Sequence, residues 1–208
     1  MKIAYYGYRD WSFKIFKSIK SKNKILITSN NYDILDSYNP DVIFFVGWSE
    51  LIPESIINKF KCLCIHPSKL PEYRGGSPIQ NQIIDGVEDS AVTLFRMDEL
   101  IDHGPIYKQL PLNLNGTLEQ IFDDIVDKSI KIINEFIHGK LYPKHQDHDK
   151  ATFCKRRKPE MSEITIDEIK NSTPKQLYDK IRSLQDPYPN SYIKCKNEEK
   201  LYLIKSKY

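Results

Sequence analysis

No stretch of this chain approaches the roughly 20 apolar residues that cross a bilayer, and its opening, MKIAYYGYRD, lacks the apolar core of a secretory signal. A cytoplasmic protein with no membrane partner is therefore expected. Cysteine is scarce: Cys62, Cys64, Cys154 and Cys195 show no CxxC spacing, and Cys62 and Cys64 point the same way in a strand-like run. Free buried thiols are the expectation, not a disulfide framework. The first apolar run ends in a single glycine, Gly7, followed by YRDWS. Both the Gly-x-Gly-x-x-Gly of dinucleotide binding and the Gly-Lys-Ser/Thr end of a P-loop are missing, so nicotinamide redox chemistry and P-loop phosphoryl transfer lose ground. Charge of one sign is lacking too. A net charge of +3 over 208 residues, with Lys and Arg spread along the chain, is too weak to grip nucleic acid.

What is present is an ordinary globular balance, 40% hydrophobic and 28% charged, enough for one substantial core and a small appendage. KIAYYG, KILITS, DVIFFVG and CLCI read as strands, and WSFKIFKSIKS, residues 53–60 and residues near 77–85 read as helices. SAVTLFRMD and PIYKQLPLNL look like two antiparallel strands. This alternation predicts an α/β fold, doubly wound, with a mostly parallel Rossmann-like sheet. The clearest helix follows Gly116: Thr117 and Gln120 have capping-box spacing, and Leu118, Ile121, Phe122, Ile125, Ile132, Ile133 and Phe136 recur at helical intervals before the stop at Gly139.

Composition then changes. YPKHQDHDK is polar and CKRRKPEMSE basic, so a linker is placed at 141–163, after a main domain at 1–140. KRRK reads as a solvated surface. His145 and His148, flanked by Asp147 and Asp149, lack a clear third ligand, and no metal is expected. Residues 164–208 read as a short C-terminal unit: a helix at 174–184, a turn at QDPYPNS and a hairpin of YIKCK and KLYLIK. Such a hairpin is marginal alone and is expected to dock on the body or on another subunit, which suggests a homodimer.

In an open parallel sheet, ligands sit outside the carboxyl ends of the strands. His66 lies just past such an end, and the loop VGWSELIP past another. Asp102, in DELIDHGPI, has a suitable address to hold the histidine as a proton-transfer pair. Both residues also fit structural roles, as a hydrogen-bonded strand end and a turn.

The stretch CIHPSKLPEYRGGSPIQ resembles the signature of the folate-dependent formyltransferases, N-x-H-x-S-x-L-P-x-x-R-G-x-x-P. In that family a catalytic aspartate follows the histidine by 36 residues, and His66 plus 36 is Asp102. VGWSELIP resembles the segment lining the pterin pocket, and KRRKPEMSEI and IRSLQDPYPNSYI resemble the linker and tail of the methionyl-tRNA branch, so the likeness covers nearly the whole chain. It implies an enzyme that moves a formyl group from 10-formyltetrahydrofolate to an amine without a metal. By the same resemblance His66 stabilises the oxyanion and assists proton movement, while Asp102 orients His66. Trp48, Ser49, Leu51, Ile52 and Asp98 would lie on the folate side, and Tyr73 and Arg74 on the substrate side.

One position departs from the pattern. Cys64 stands where the family has asparagine, whose amide helps hold the oxyanion, and a thiol is a weak donor. Three readings follow: a slower enzyme with His66 and a backbone N–H or water at the oxyanion, a folate- and amine-binding relative with lost or changed chemistry, or an introduced mutation. A nucleophilic Cys64 is disfavoured by its apolar neighbours.

Methionyl-tRNA enzymes carry a C-terminal barrel of which this sequence shows about one hairpin, and the glycinamide ribonucleotide branch has a Gly-Ser stretch that GYRDWS lacks. GYRDWS and RGGSPIQ look like the branch that formylates nucleotide-linked amino sugars, with UDP- or dTDP-linked 4-amino-4,6-dideoxyhexoses as substrates for surface glycans. A formyl-folate hydrolase and a non-catalytic binder are the readings from other classes.

Overall fold

The computed structural model describes residues 1–139 and 141–208. Four apolar runs form parallel strands: β1 (Ile3–Tyr6), β2 (Lys24–Ile27), β3 (Val42–Val46) and β4 (Cys62–His66). A two-residue strand, β5 (Arg74–Gly75), lies apart from them. β6 (Asp89–Arg96) and β7 (Ile106–Asn113) add antiparallel, giving a six-stranded sheet in the order β2-β1-β3-β4-β6-β7. The mostly parallel α/β sheet is as expected.

The central strands are apolar at every position because both faces are covered. Ile3, Tyr5, Val42, Phe44, Val46, Leu63 and Ile65 face one core, which α1 (Asp10–Ser18) and a long helix at Leu118–Ile137 help to fill. Ala4, Tyr6, Ile43, Phe45 and Cys62 face the other, with Leu35 and Phe60. Leu35 comes from α2 (Ile34–Tyr38), a five-residue helix too short to show a period in the sequence. α3 (Glu54–Lys59), α4 (Pro78–Ile84) and α5 (Leu118–Ile137) complete the main body. In the capping box of α5, Gln120 N–H donates to Thr117 Oγ1 at 3.2 Å and Thr117 N–H to Gln120 Oε1 at 2.9 Å.

The expected domain boundary at residue 140 lies outside the described residues. Segment 141–163, read as a linker, is laid against the main body. Lys144 exchanges two 2.8 Å backbone hydrogen bonds with Ile106, and β8 (Phe153–Cys154) pairs in parallel with β5. The tail holds two helices where the sequence suggested one. α6 (Ile166–Asn171) starts at Thr165, whose side chain accepts from Glu168 N–H, and α7 (Pro174–Ser183) follows. Arg182 of α7 is buried and donates to the carbonyls of Leu114 (2.7 Å) and Gly116 (3.0 Å), which fastens the tail to the entry of α5. Of the final hairpin, β9 (Ser191–Lys194) buries Tyr192, while β10 (Lys200–Leu203) leaves Leu201 and Tyr202 exposed.

All four cysteines are free, but burial is uneven: Cys62 is buried, Cys64 and Cys154 are partly so, and Cys195 is exposed. Cys195 corrects the expectation of buried thiols, because it lies just past the end of β9 instead of under it. Among the described residues, no helix is long and apolar enough to cross a membrane.

Candidate active site

The carboxyl ends of β3 and β4 stop side by side, and the loops that follow them open a crevice of two connected lobes. Cys64, two residues before the end of β4, lines both lobes, as do Trp48, Ser49, Gly75, Gly76, Asp102 and Arg156. The first lobe adds His66, Tyr8, Arg9, Trp11, Gln80, Phe122, Arg157 and Tyr188. The second adds Phe45, Leu51, Ile52, Ile57, Phe95, Met97 and Asp98. Cavity volumes of about 360 and 430 Å³ make each lobe large enough for a small-molecule group.

His66 is buried, and its ring is fixed by two contacts. Nε2 lies 2.8 Å from the Tyr73 carbonyl oxygen. A carbonyl only accepts, so Nε2 carries a hydrogen and Nδ1 is the atom left for proton traffic. Nδ1 lies 3.4 Å from Asp102 Oδ2, an ion-pair distance longer than a good hydrogen bond. The same carboxylate oxygen accepts the Gly75 N–H at 2.8 Å. Asp102 reaches this place from a left-handed backbone, φ 50°, which for a non-glycine residue costs about 1–3 kcal/mol and persists only where its surroundings hold it.

Gly75 and Gly104 are the glycines this geometry requires. A Cβ on Gly75, φ 103°, would sit 2.4 Å from the Cys154 carbonyl oxygen, and one on Gly104 would sit 1.9 Å from that of Arg96. Either side chain would push the loops apart at the point where Asp102 meets His66.

Cys64 stands where the two lobes join. Burial, and then the neighbouring Asp102 carboxylate, push its thiol well above the ordinary range, so it stays protonated and is not a nucleophile. Of the backbone donors beside it, Gly75 N–H is taken by Asp102 and Gly76 N–H by the Cys154 carbonyl at 3.0 Å. The donor these loops leave where the two lobes join is therefore the Cys64 thiol.

Trp48, Ser49, Leu51, Ile52 and Asp98 all line the second lobe. Its walls are mostly apolar: Phe45, Ile52, Phe95 and Met97 supply the faces, and the buried Trp48 Nε1, beside the Tyr32 hydroxyl, makes no well-formed hydrogen bond among the described residues. Tyr73 and Arg74, expected on the substrate side, line neither lobe. Gly75 borders the crevice, and strand alternation turns its neighbour Arg74 the other way. There Arg74 is 3% exposed and donates to Gln146 Oε1 (2.7 Å) and His148 Nδ1 (2.9 Å). Tyr73 gives its carbonyl to His66 and its hydroxyl to Asp85 at 3.0 Å. Burial, above all, raises the Tyr73 phenol to about 12.

Sequence reasoning missed Arg156, Arg157, Gln80 and Tyr188. Arg156 and Arg157 belong to KRRK, read above as solvated surface, but the pairing of β8 with β5 swings that run over the crevice mouth. His148, considered above as a metal ligand, instead stacks on His103 with ring centres 3.9 Å apart. Among the described residues, no group of three metal-ligating side chains occurs.

Residues 9–137 match the family described as formyl transferase. The chain belongs to that family. A methionyl-tRNA formyltransferase of Sulfurihydrogenibium sp. is 32% identical over 181 residues, covering 82% of this chain and 57% of the relative. The solved methionyl-tRNA formyltransferase from Clostridium thermocellum superposes with a TM-score of 0.85 at 33% identity, over 94% of this chain and 88% of that one. A 4-N formyltransferase from Francisella tularensis shares the fold at 21% identity with a TM-score of 0.76, over 97% of this chain and 96% of that one. This chain spans about half the length of the curated relatives it matches, between 42% and 57% for three of them. Formyl transferases use a tetrahydrofolate-based formyl donor.

Proposed function

We propose that the protein transfers a formyl group from 10-formyltetrahydrofolate, held in the second lobe, to the amino group of a nucleotide-linked 4-amino-4,6-dideoxyhexose held in the first. The observation that carries the acceptor class is the donor-rich character of the first lobe. Arg9, Arg156 and Arg157 line it, and among the described residues Asp102 is its only carboxylate. Three lobe residues, Trp11, Gln80 and Arg157, have a buried N–H with no well-formed hydrogen bond among the described residues (Trp11 Nε1, Gln80 Nε2 and Arg157 Nε), and the first two lie beside the Tyr188 hydroxyl. Buried donors call for acceptors, and a diphosphate linker and a pyrimidine base are rich in them. Aromatic faces for a base or sugar are at hand: Phe122 and Tyr188 stack at 5.8 Å, and the Arg9 guanidinium lies over Tyr8 and Tyr188.

The bound donor supplies the formyl group: its oxygen gains negative charge as the amine adds, and as the bond from the formyl carbon to the folate nitrogen breaks, that nitrogen leaves with the proton His66 has taken from the amine. The chain's part is to place the amine beside His66, take its proton on Nδ1 and hold the resulting charge against Asp102. The Cys64 S–H, at the junction of the lobes, is the side-chain donor placed for the oxyanion.

Methionyl-tRNA is the second reading, favoured by the identities of 32% and 33% to enzymes of that name. Its acceptor end is also phosphate-bearing. The test is turnover with formyl donor and, in separate reactions, UDP-linked amino sugar, dTDP-linked amino sugar, methionyl-tRNA or no acceptor. Formyl transfer to methionyl-tRNA alone overturns the sugar reading, and formate release without acceptor makes the protein a hydrolase.

Two further outcomes are expected. Gln80→Leu and Trp11→Phe each remove one buried donor, worth about 1 kcal/mol or more, and so raise KM for the nucleotide sugar by about 5- to 10-fold while KM for the folate donor holds. Steady-state kinetics with each substrate varied in turn checks the split. Cys64→Asn replaces a weak donor by an amide and is expected to raise the single-turnover rate, by up to about 10²-fold. An unchanged or lower rate would show that the thiol is not at the oxyanion.

A further inference from the structure

Gln146 comes from the segment read as a linker, yet it is 7% exposed and lies behind the crevice. Its amide is fully used. Nε2 donates one hydrogen to the Asp102 carbonyl at 2.9 Å and the other to the Gly104 carbonyl at 2.7 Å, while Oε1 accepts from Arg74 Nη2 at 2.7 Å. These contacts join the two backbones that define the Asp102 carboxylate. One is the loop that carries Asp102 through its left-handed φ of 50°. The other is β5, where the residue after Arg74 is Gly75, whose N–H holds Asp102 Oδ2 at 2.8 Å.

We propose that Gln146 is a positioning residue for Asp102, setting the carboxylate against His66 Nδ1 without touching substrate. Its amide suits the task chemically. The cation on its oxygen polarises the group and strengthens both of its N–H donors. Those donors hold the two carbonyls that flank His103, so the loop cannot relax its strained residue by turning either peptide. Errors of an ångström in such a constellation cost on the order of 10²-fold in rate, and a tie of this kind guards against them.

This inference rests on the formyl-transfer reading for its kinetic arm and is independent of it for its spectroscopic arm. Gln146→Leu removes all three hydrogen bonds at similar volume. Gln146→Glu keeps the oxygen for Arg74 but turns an acceptor toward two carbonyls, and retains a polar side chain should the leucine variant fail to fold. Both are expected to lower kcat by about 10- to 100-fold with both KM values within twofold of the parent. In substrate-free protein, both are expected to move the His66 ring nitrogen NMR shifts, which report the proton on Nδ1. A purely structural Gln146 would lower the melting temperature and leave the His66 ring signals in place. A folded Gln146→Leu or Gln146→Glu variant with parental kcat and parental His66 signals would overturn the proposal. If the parent turns over no acceptor at all, the transferase reading falls and the NMR comparison still decides the role of Gln146.

Discussion

His66→Ala is expected to lower kcat for formyl transfer by about 10²–10⁴-fold, the range of a lost general base, with KM for the folate donor nearly unchanged. The size of the effect follows from geometry. Nε2–H is committed to the Tyr73 carbonyl at 2.8 Å, so the ring is held in place, and Nδ1 is the nitrogen left to take the amine proton in the proposed reaction. His66 lines the first lobe only, which is why donor affinity should survive its loss. The measurement is kcat and both KM values for parent and variant, with folding checked by circular dichroism. Turnover at the parental rate would remove His66 from the mechanism.

Asp102→Asn is expected to reduce kcat by a similar order, about 10²–10³-fold, for a different reason. When Nδ1 takes a proton, that proton lies between the ring and a carboxylate oxygen 3.4 Å from the nitrogen. An amide of the same shape withdraws the negative charge and can present its NH₂ to the Gly75 N–H, a donor facing a donor. The variant should therefore bind both substrates and stall on the proton. Pre-steady-state mixing separates the cases: a normal binding phase followed by slow chemistry supports the role, whereas a variant as fast as the parent excludes it.

Much of this site was legible in the chain because its parts are local. His66 ends an apolar strand, and Trp48, Ser49, Leu51 and Ile52 follow another strand within a few residues. Fold class followed from alternating runs and helical periods. What escaped depends on contacts between distant segments. Arg156 and Arg157 reach the crevice, and Gln146 the loop behind it, through a two-residue strand pairing and a backbone bridge, neither of which leaves a periodic trace. That Arg74 turns away from both lobes was not legible, because nearness in sequence to His66 says nothing of which side of β5 a side chain takes. α6 offered a cue in the spacing of Thr165 and Glu168, but its six residues bury no side chain, so no period marked it.

The pairing of β5 with β8 also fixes an order of events in synthesis. The six strands of the main sheet are all contained in residues 3–113, and α5 closes by Ile137, so the nascent chain can complete its core before Gln146, Arg156 and Arg157 leave the ribosome. Closing the span between Gly75 and Cys154 is a separate step that costs loop entropy for only a few new contacts. Segment 141–158 thus adds to a main body that already carries Trp48, Cys64, His66 and Asp102. Local opening of residues 141–158 would dismantle the mouth of the site while the sheet stays folded, so activity and global stability need not be lost together.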